Sequence, residues 1–172
     1  HLARVLGAEY AFVGELVAER PGWTRTIAAY AHGRVVENFE YDLKDTPCAN
    51  VVGQRLCLHR SGVREMFPRD HLLVDMGVES YIGAPLFNGA GQAIGLMVVM
   101  FGRPMPNPEL ASSALQIFAA RTAAELERRS AEEAVRHLTR DLEQRVGERT
   151  NELQRAVTLM AGREVRMGEL KT

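Results

Sequence analysis

Apolar and polar residues follow two different periods along this chain, and the change of period divides it. Leu2, Val5 and Leu6 predict the end of a helix stopped at Gly7. Tyr10 to Leu16 reads as a first strand, Trp23 to His32 as a second, and Val35 to Leu43 as a third after a tight turn at Gly33. In that third run Val35, Phe39, Tyr41 and Leu43 share one parity, with Asn38, Glu40 and Asp42 on the other. Thr46-Pro47-Cys48 suits a helix start with proline at its first position. A short strand near Arg55 to Leu58 follows, then a helix from about Asp70 to Met76 ended by Gly77.

Tyr81 to Leu86 and Ala93 to Phe101 are apolar β runs joined by Asn88-Gly89-Ala90-Gly91, which predicts an antiparallel hairpin. The second run is apolar on both parities, so it belongs in the middle of a sheet covered on both faces. Asn107-Pro108-Glu109 then opens a helix with a cap, a proline and an early acid. Leu115, Phe118, Ala119, Thr122, Ala123 and Leu126 form its apolar face. The sum is an α+β fold on a central antiparallel sheet.

Beyond that helix the period becomes that of a coiled coil. Val135, Leu138 and Leu142 fit heptad core positions. Val146 follows Leu142 by four residues, which is a stutter, and Leu153, Ala156, Met160, Met167 and Leu170 continue the shifted register. Arg149 and Arg163 take core positions there and weaken the seam. A parallel dimer is the preferred pairing, and a hairpin bent at Gly147 or Gly162 is the alternative. A solvated single helix is the bland reading, and isolated helices of this kind are marginal in water.

Composition sharpens that division. Every Phe, Tyr and Trp lies at or before Phe118, while from Glu125 onward ten basic and ten acidic residues cancel. The expected boundaries are therefore a globular domain over 1–125 and a coiled-coil helix over 126–172. Over all 172 residues the net charge is −1, which points to neither nucleic acid nor an anionic membrane as partner. No apolar run approaches the ~20 residues of a membrane span. The chain opens at His1 inside a helical pattern, so a fragment of a longer cytoplasmic protein is expected.

Two cysteines, Cys48 and Cys57, are read as reduced thiols, since a disulfide scaffold would carry more. Cys57 and His59 stand two apart on a strand and can face one side. A structural zinc needs four ligands, and His32, His71 and Cys48 are the only spare candidates, so no metal is assigned. Cys48, at a helix start, is expected to have a lowered pKa as a redox-sensitive or pocket-lining thiol; the plainer reading is a small buried hydrophobe. Asn88-Gly89-Ala90-Gly91 lacks the ending of a phosphate loop and precedes a strand. His137 lacks the surroundings of a phosphoacceptor.

Taken in order, several stretches resemble a GAF domain, a ligand-sensing module of bacterial signalling proteins. They are Leu6-Gly7-Ala8-Glu9-Tyr10-Ala11-Phe12, Thr46-Pro47-Cys48, Phe67-Pro68-Arg69-Asp70, Ser80 to Leu86, Gly91, Ile94-Gly95-Leu96 and Phe118-Ala119. The tail, with Leu142 to Leu153, is similar to connector helices between such sensors and PAS, histidine-kinase or diguanylate-cyclase modules. The resemblance implies a sheet of five or six strands, terminal helices on one face forming a homodimer bundle, and a small-molecule pocket on the other. It leaves the ligand and any cofactor unknown. The Asn-Lys…Phe…Asp-Glu motif of cyclic-nucleotide-binding members has no counterpart here. Thr26, Tyr41, Cys48 and Tyr81 are the candidate ligand-binding residues, with packing as the alternative role for the phenols. No catalytic set is expected. The competing readings are a thiol enzyme of the methionine sulfoxide reductase type working through Cys48 and Cys57, and a pure dimerisation module.

Overall fold

Seven strands and five helices form among the described residues of the computed structural model, which cover the backbone over 1–52 and 56–169 and the side chains over 1–52 and 56–155. The strands are β1 (Tyr10–Leu16), β2 (Trp23–Ala31), β3 (Arg34–Val36), β4 (Glu40–Asp42), β5 (Cys57–His59), β6 (Ser80–Phe87) and β7 (Ala93–Phe101). They form one antiparallel sheet in the order β3-β2-β1-β7-β6-β5, with β4 also paired to β2. The helices are α1 (Leu2–Leu6), α2 (Pro47–Val51), α3 (Val63–Met66), α4 (His71–Asp75) and α5 (Pro108–Glu169).

Strand parity sorts the core into two layers. On β7, Met97, Val99 and Phe101 join Ile82, Ala84 and Leu86 of β6 under α1 and α5. The intervening Leu96, Val98 and Met100 face the opposite way, with Tyr10, Phe12 and Tyr81, under α2, α3 and α4. β7 is thus covered on both faces and central, as its unbroken apolar run requires. The hairpin between β6 and β7 is held at Asn88, whose Oδ1 accepts the N–H groups of Ala90 and Gln92, while Gly91 takes a positive φ of 75°. α5 starts as its sequence dictates: Asn107 Oδ1 accepts from the Leu110 N–H, and Ala111, Leu115, Ala119 and Ala123 bury against the sheet.

Three expectations need correction. The run from Val35 to Leu43 is two short strands, not one. β2 carries an extra residue, Ile27, opposite the Val13–Gly14 step of β1, and this bulge disturbs the ladder on its other side. There the Thr26 N–H still donates to the Phe39 carbonyl at 2.9 Å, but the Phe39 N–H is accepted by the Thr26 hydroxyl at 2.8 Å, a side chain taking the place of one backbone partner. Val35, placed on one parity with Leu43, does not share its burial and is 80% exposed on edge strand β3. The strand expected near Arg55 begins at Cys57; residues 53–55 lie outside the described residues. α3 is a single turn that the sequence pattern does not signal.

The chain falls into two compact units, His1–Glu127 and a second from Arg128. Within the second unit Val135, Leu138, Leu142, Val146 and Leu153 are all exposed. Ion pairs run along it: Arg128–Glu132, Arg129–Glu133 (3.2 Å), Asp141–Arg145 (2.9 Å) and Arg149–Glu152 (3.2 Å). α5 is one helix through Gly147 and Gly162, without the hairpin bend considered above. The register residues Ala156, Met160, Arg163, Met167 and Leu170 lie outside the described side chains. Among the described residues no helix is long and apolar enough to cross a membrane.

Candidate functional site

On the face of the sheet under α2 and α4, side chains leave a cavity of about 250 Å³. Its floor comes from β1, β2 and β7 and its walls from β4, Pro47 and Cys48 of α2, and the segment from Asp70 to Met76. The volume sits at the small end of ligand pockets, which suits a compact molecule. Small residues on β2 (Ala29, Ala31) open the space, and larger ones close around it.

One wall is organised by Cys48. The phenols of Tyr41 on β4 and Tyr81 on β6 both donate to its Sγ, at 3.4 and 3.2 Å. Tyr81 reaches α2 because its ring lies back along its own strand over Gly83, two residues on and on the same face. A Cβ at Gly83 would meet the Tyr81 hydroxyl at 2.5 Å and Val51 Cγ2 at 2.7 Å, so only glycine fits. Burial pushes the Cys48 thiol up to about 11 and raises both phenols well above their ordinary value. The expected lowering of the Cys48 pKa is therefore reversed. α2 is a single turn whose dipole does not offset the loss of water around a buried sulfur.

An aromatic cluster continues the lining from Tyr41. Phe12, Phe39 and Tyr41 meet edge to face or tilted, with ring centroids 5.7 to 6.1 Å apart. Tyr10 donates its hydroxyl to the Met76 carbonyl at 3.1 Å, and His32 Nε2 lies 2.8 Å from that hydroxyl oxygen. Asp70 supplies the carboxylate of the lining and caps α4 by accepting the Leu73 N–H at 3.2 Å. Burial raises its pKa, partly offset by that backbone bond.

Of the four sequence-derived candidates, Tyr41, Cys48 and Tyr81 come together at this cavity and Thr26 does not. Thr26 is buried, and its hydroxyl is taken up by the backbone of Phe39. Its role is to hold the irregular edge of β2. Tyr10, Phe12, Phe39 and Asp70 line the space without having been singled out for it. An N-cap aspartate at the entry of a one-turn helix was the available signal for Asp70.

Cys57 and His59 do face one side of β5, with Sγ 3.3 Å from Nε2. His59 packs against the rings of Phe67 and Tyr81. Burial raises the Cys57 thiol and lowers the His59 imidazole, which favours a neutral pair over a thiolate–imidazolium pair. Among the described residues no three His, Cys, Asp or Glu gather as metal ligands.

Comparisons with known proteins bear on the fold. The family model described as "GAF domain" matches residues 1–126. The chromophore-binding domain of an unusual bacteriophytochrome from R. palustris superposes with a TM-score of 0.60 at 12% identity, over 77% of this chain and 53% of that one. The phycoerythrobilin-bound GAF domain of a cyanobacterial phytochrome gives 0.59 at 18% identity, covering 77% and 82%. A domain of a protein described as a two-component sensor histidine kinase, from Sinorhizobium meliloti, gives 0.56 at 16%, covering 78% and 90%. The chain spans about half the length of the first of these. No curated protein matches the sequence.

Proposed function

The chain belongs to the GAF domain family, and from that premise we propose that it is a small-molecule sensory module of a multidomain signalling protein such as a histidine kinase or diguanylate cyclase. In this reading a ligand occupies the cavity under α2 and α4. Its presence biases the pairing of two copies through their terminal helices, and a downstream PAS, kinase or cyclase module reads the change in the cytoplasm. A ligand can do this only through its differential affinity for the two helix arrangements. The stutter at Val146 and the arginine at core position 149 keep such arrangements close in energy.

The observation that carries the reading is the apolar cavity between the sheet and α2 and α4, in a chain whose long helix bears an exposed heptad seam. The test is a thermal-shift screen of metabolites on the wild type and on Ala29→Phe, which fills the floor of the cavity. A ligand at about 100 times its dissociation constant should stabilise the wild type by ~2.7 kcal/mol and leave the filled variant unmoved. Equal shifts in both proteins, or none in either, would count against it. In the full-length protein, removing seven residues from the helix should preserve output that removing four abolishes; equal output from both would oppose transmission by register.

The thiol-enzyme alternative is disfavoured by Cys48 itself. A sulfur held protonated, with a pKa of about 11, is a poor nucleophile at neutral pH. A pure dimerisation module would predict that no small molecule stabilises the protein.

A further inference from the structure

The polar atoms of the cavity are nearly all acceptors, and that restricts what can enter. Four tyrosines line it; Tyr30 packs with the layer under α1 and α5, and the hydroxyl protons of the other three are already committed: Tyr41 and Tyr81 donate to Cys48 Sγ and Tyr10 donates to the Met76 carbonyl. Their oxygens keep lone pairs only. The remaining polar side chains are the Cys48 thiol, whose S–H is only a weak donor, and the Asp70 carboxylate. Among the described lining residues there is no Arg, Lys, His, Asn, Gln, Ser or Thr.

Asp70 is not salt-bridged to an Arg or Lys among the described residues. The adjacent Arg69 turns instead to Asp45, 3.6 Å from its carboxylate. One carboxylate oxygen of Asp70 is met by the Leu73 N–H. Asp70 lies close enough to Tyr41 and Cys48 for its charge to oppose their ionisation. Burial raises its own pKa, and the neighbouring His71 only partly opposes that rise.

We propose that this cavity takes a compact, largely apolar amine in its protonated form, with the ammonium group against Asp70 and the apolar body among Phe12, Phe39 and Tyr41. The proposal rests on reading the cavity as the sensory pocket and names the class of ligand it accepts. An ammonium supplies the donors that the lining lacks and a positive charge to set against Asp70. The aromatic wall adds attraction for a cation lying over or beside a ring face. A carboxylate or phosphate would instead bring a second negative charge into an apolar space with no lining side chain to neutralise it.

The experiment uses two matched series that share a ring and differ in charge: phenethylamine, phenethyl alcohol and phenylacetate, and tryptamine, tryptophol and indoleacetate. Binding is measured by calorimetry on the wild type, Asp70→Asn and Ala29→Phe. Asparagine retains the cap of α4, so the fold survives the loss of charge. The expected result is that the amine of at least one series binds wild type about tenfold or more tighter than its alcohol, and its acid more weakly still. In Asp70→Asn the amine should fall to within about twofold of the alcohol, and Ala29→Phe should bind neither. If an alcohol or an acid binds as tightly as its amine, or if Asp70→Asn keeps the amine preference, the ligand class is overturned and the sensory reading stands. If no member of either series binds wild type better than Ala29→Phe, the ligand class is overturned and the pocket reading is weakened with it.

Discussion

Leu115 and Leu142 stand on the same helix, α5, and meet opposite fates. Leu115 is fully buried against the sheet, whereas Leu142 is 60% exposed. Around Leu115 the apolar face of α5 finds β6 and β7 and the helix behaves as one layer of a core. Around Leu142 the neighbours of similar character, Val135, Leu138, Val146 and Leu153, are each more than half exposed. Propensity favours helix in both regions and ion pairs add to it in the second, but only the first buries its apolar stripe within one chain. The contrast shows that an identical residue can be part of the core in one unit and solvent-exposed in the other.

Four perturbations would break or sharpen that contrast. The largest is Leu115→Ala, which should cost about 2–5 kcal/mol in urea unfolding, while Leu142→Ala leaves the unfolding of the globular unit within ~0.5 kcal/mol of wild type. Equal losses would erase the distinction. Next comes alkaline pH. The folded-state pKa of Cys48 lies above its unfolded value, so its contribution is complete below about pH 9 and is lost as pH rises towards 11. A loss of about 2–3 kcal/mol is expected over that interval from this group. It should shrink in Cys48→Ala, leaving the slope that Tyr41, Tyr81 and Cys57 add. No comparable loss should appear in the melting of the helical unit, which holds no Cys or Tyr.

Gly83→Ala is third. The new methyl would displace the Tyr81 ring from Cys48, costing roughly 1–3 kcal/mol and perturbing the near-ultraviolet signal of the buried tyrosine. Glu133→Gln should do least. It removes one exposed pair with Arg129 on α5, worth about 0.3–0.5 kcal/mol and screened by salt.

Much of the fold was legible because burial writes a period into the chain. The doubly apolar run from Ile94 to Phe101 announced a central strand, and Asn107-Pro108 announced the start of α5. What stayed illegible depends on events far away in sequence. The break between β3 and β4 follows from a bulge at Ile27, which no local pattern in residues 35–43 records. Thr26 looked like a pocket residue by its place on a strand, but the same bulge turns its hydroxyl to the Phe39 backbone. Cys48 was placed at a helix start correctly, yet the sign of its pKa shift depends on how deeply Tyr41 and Tyr81 enclose it. Asp70 shows the same limit: its capping role is local, whereas its place in the cavity lining is a tertiary fact.

We propose that the seam of Val135, Leu138 and Leu142 is completed by a second copy. Sedimentation equilibrium of the chain across a wide concentration range tests it most directly. The expected result is a dimer that Leu138→Asp together with Leu142→Asp converts to a monomer with an unaltered globular unit. A wild-type chain that remains monomeric at the highest concentrations would contradict it.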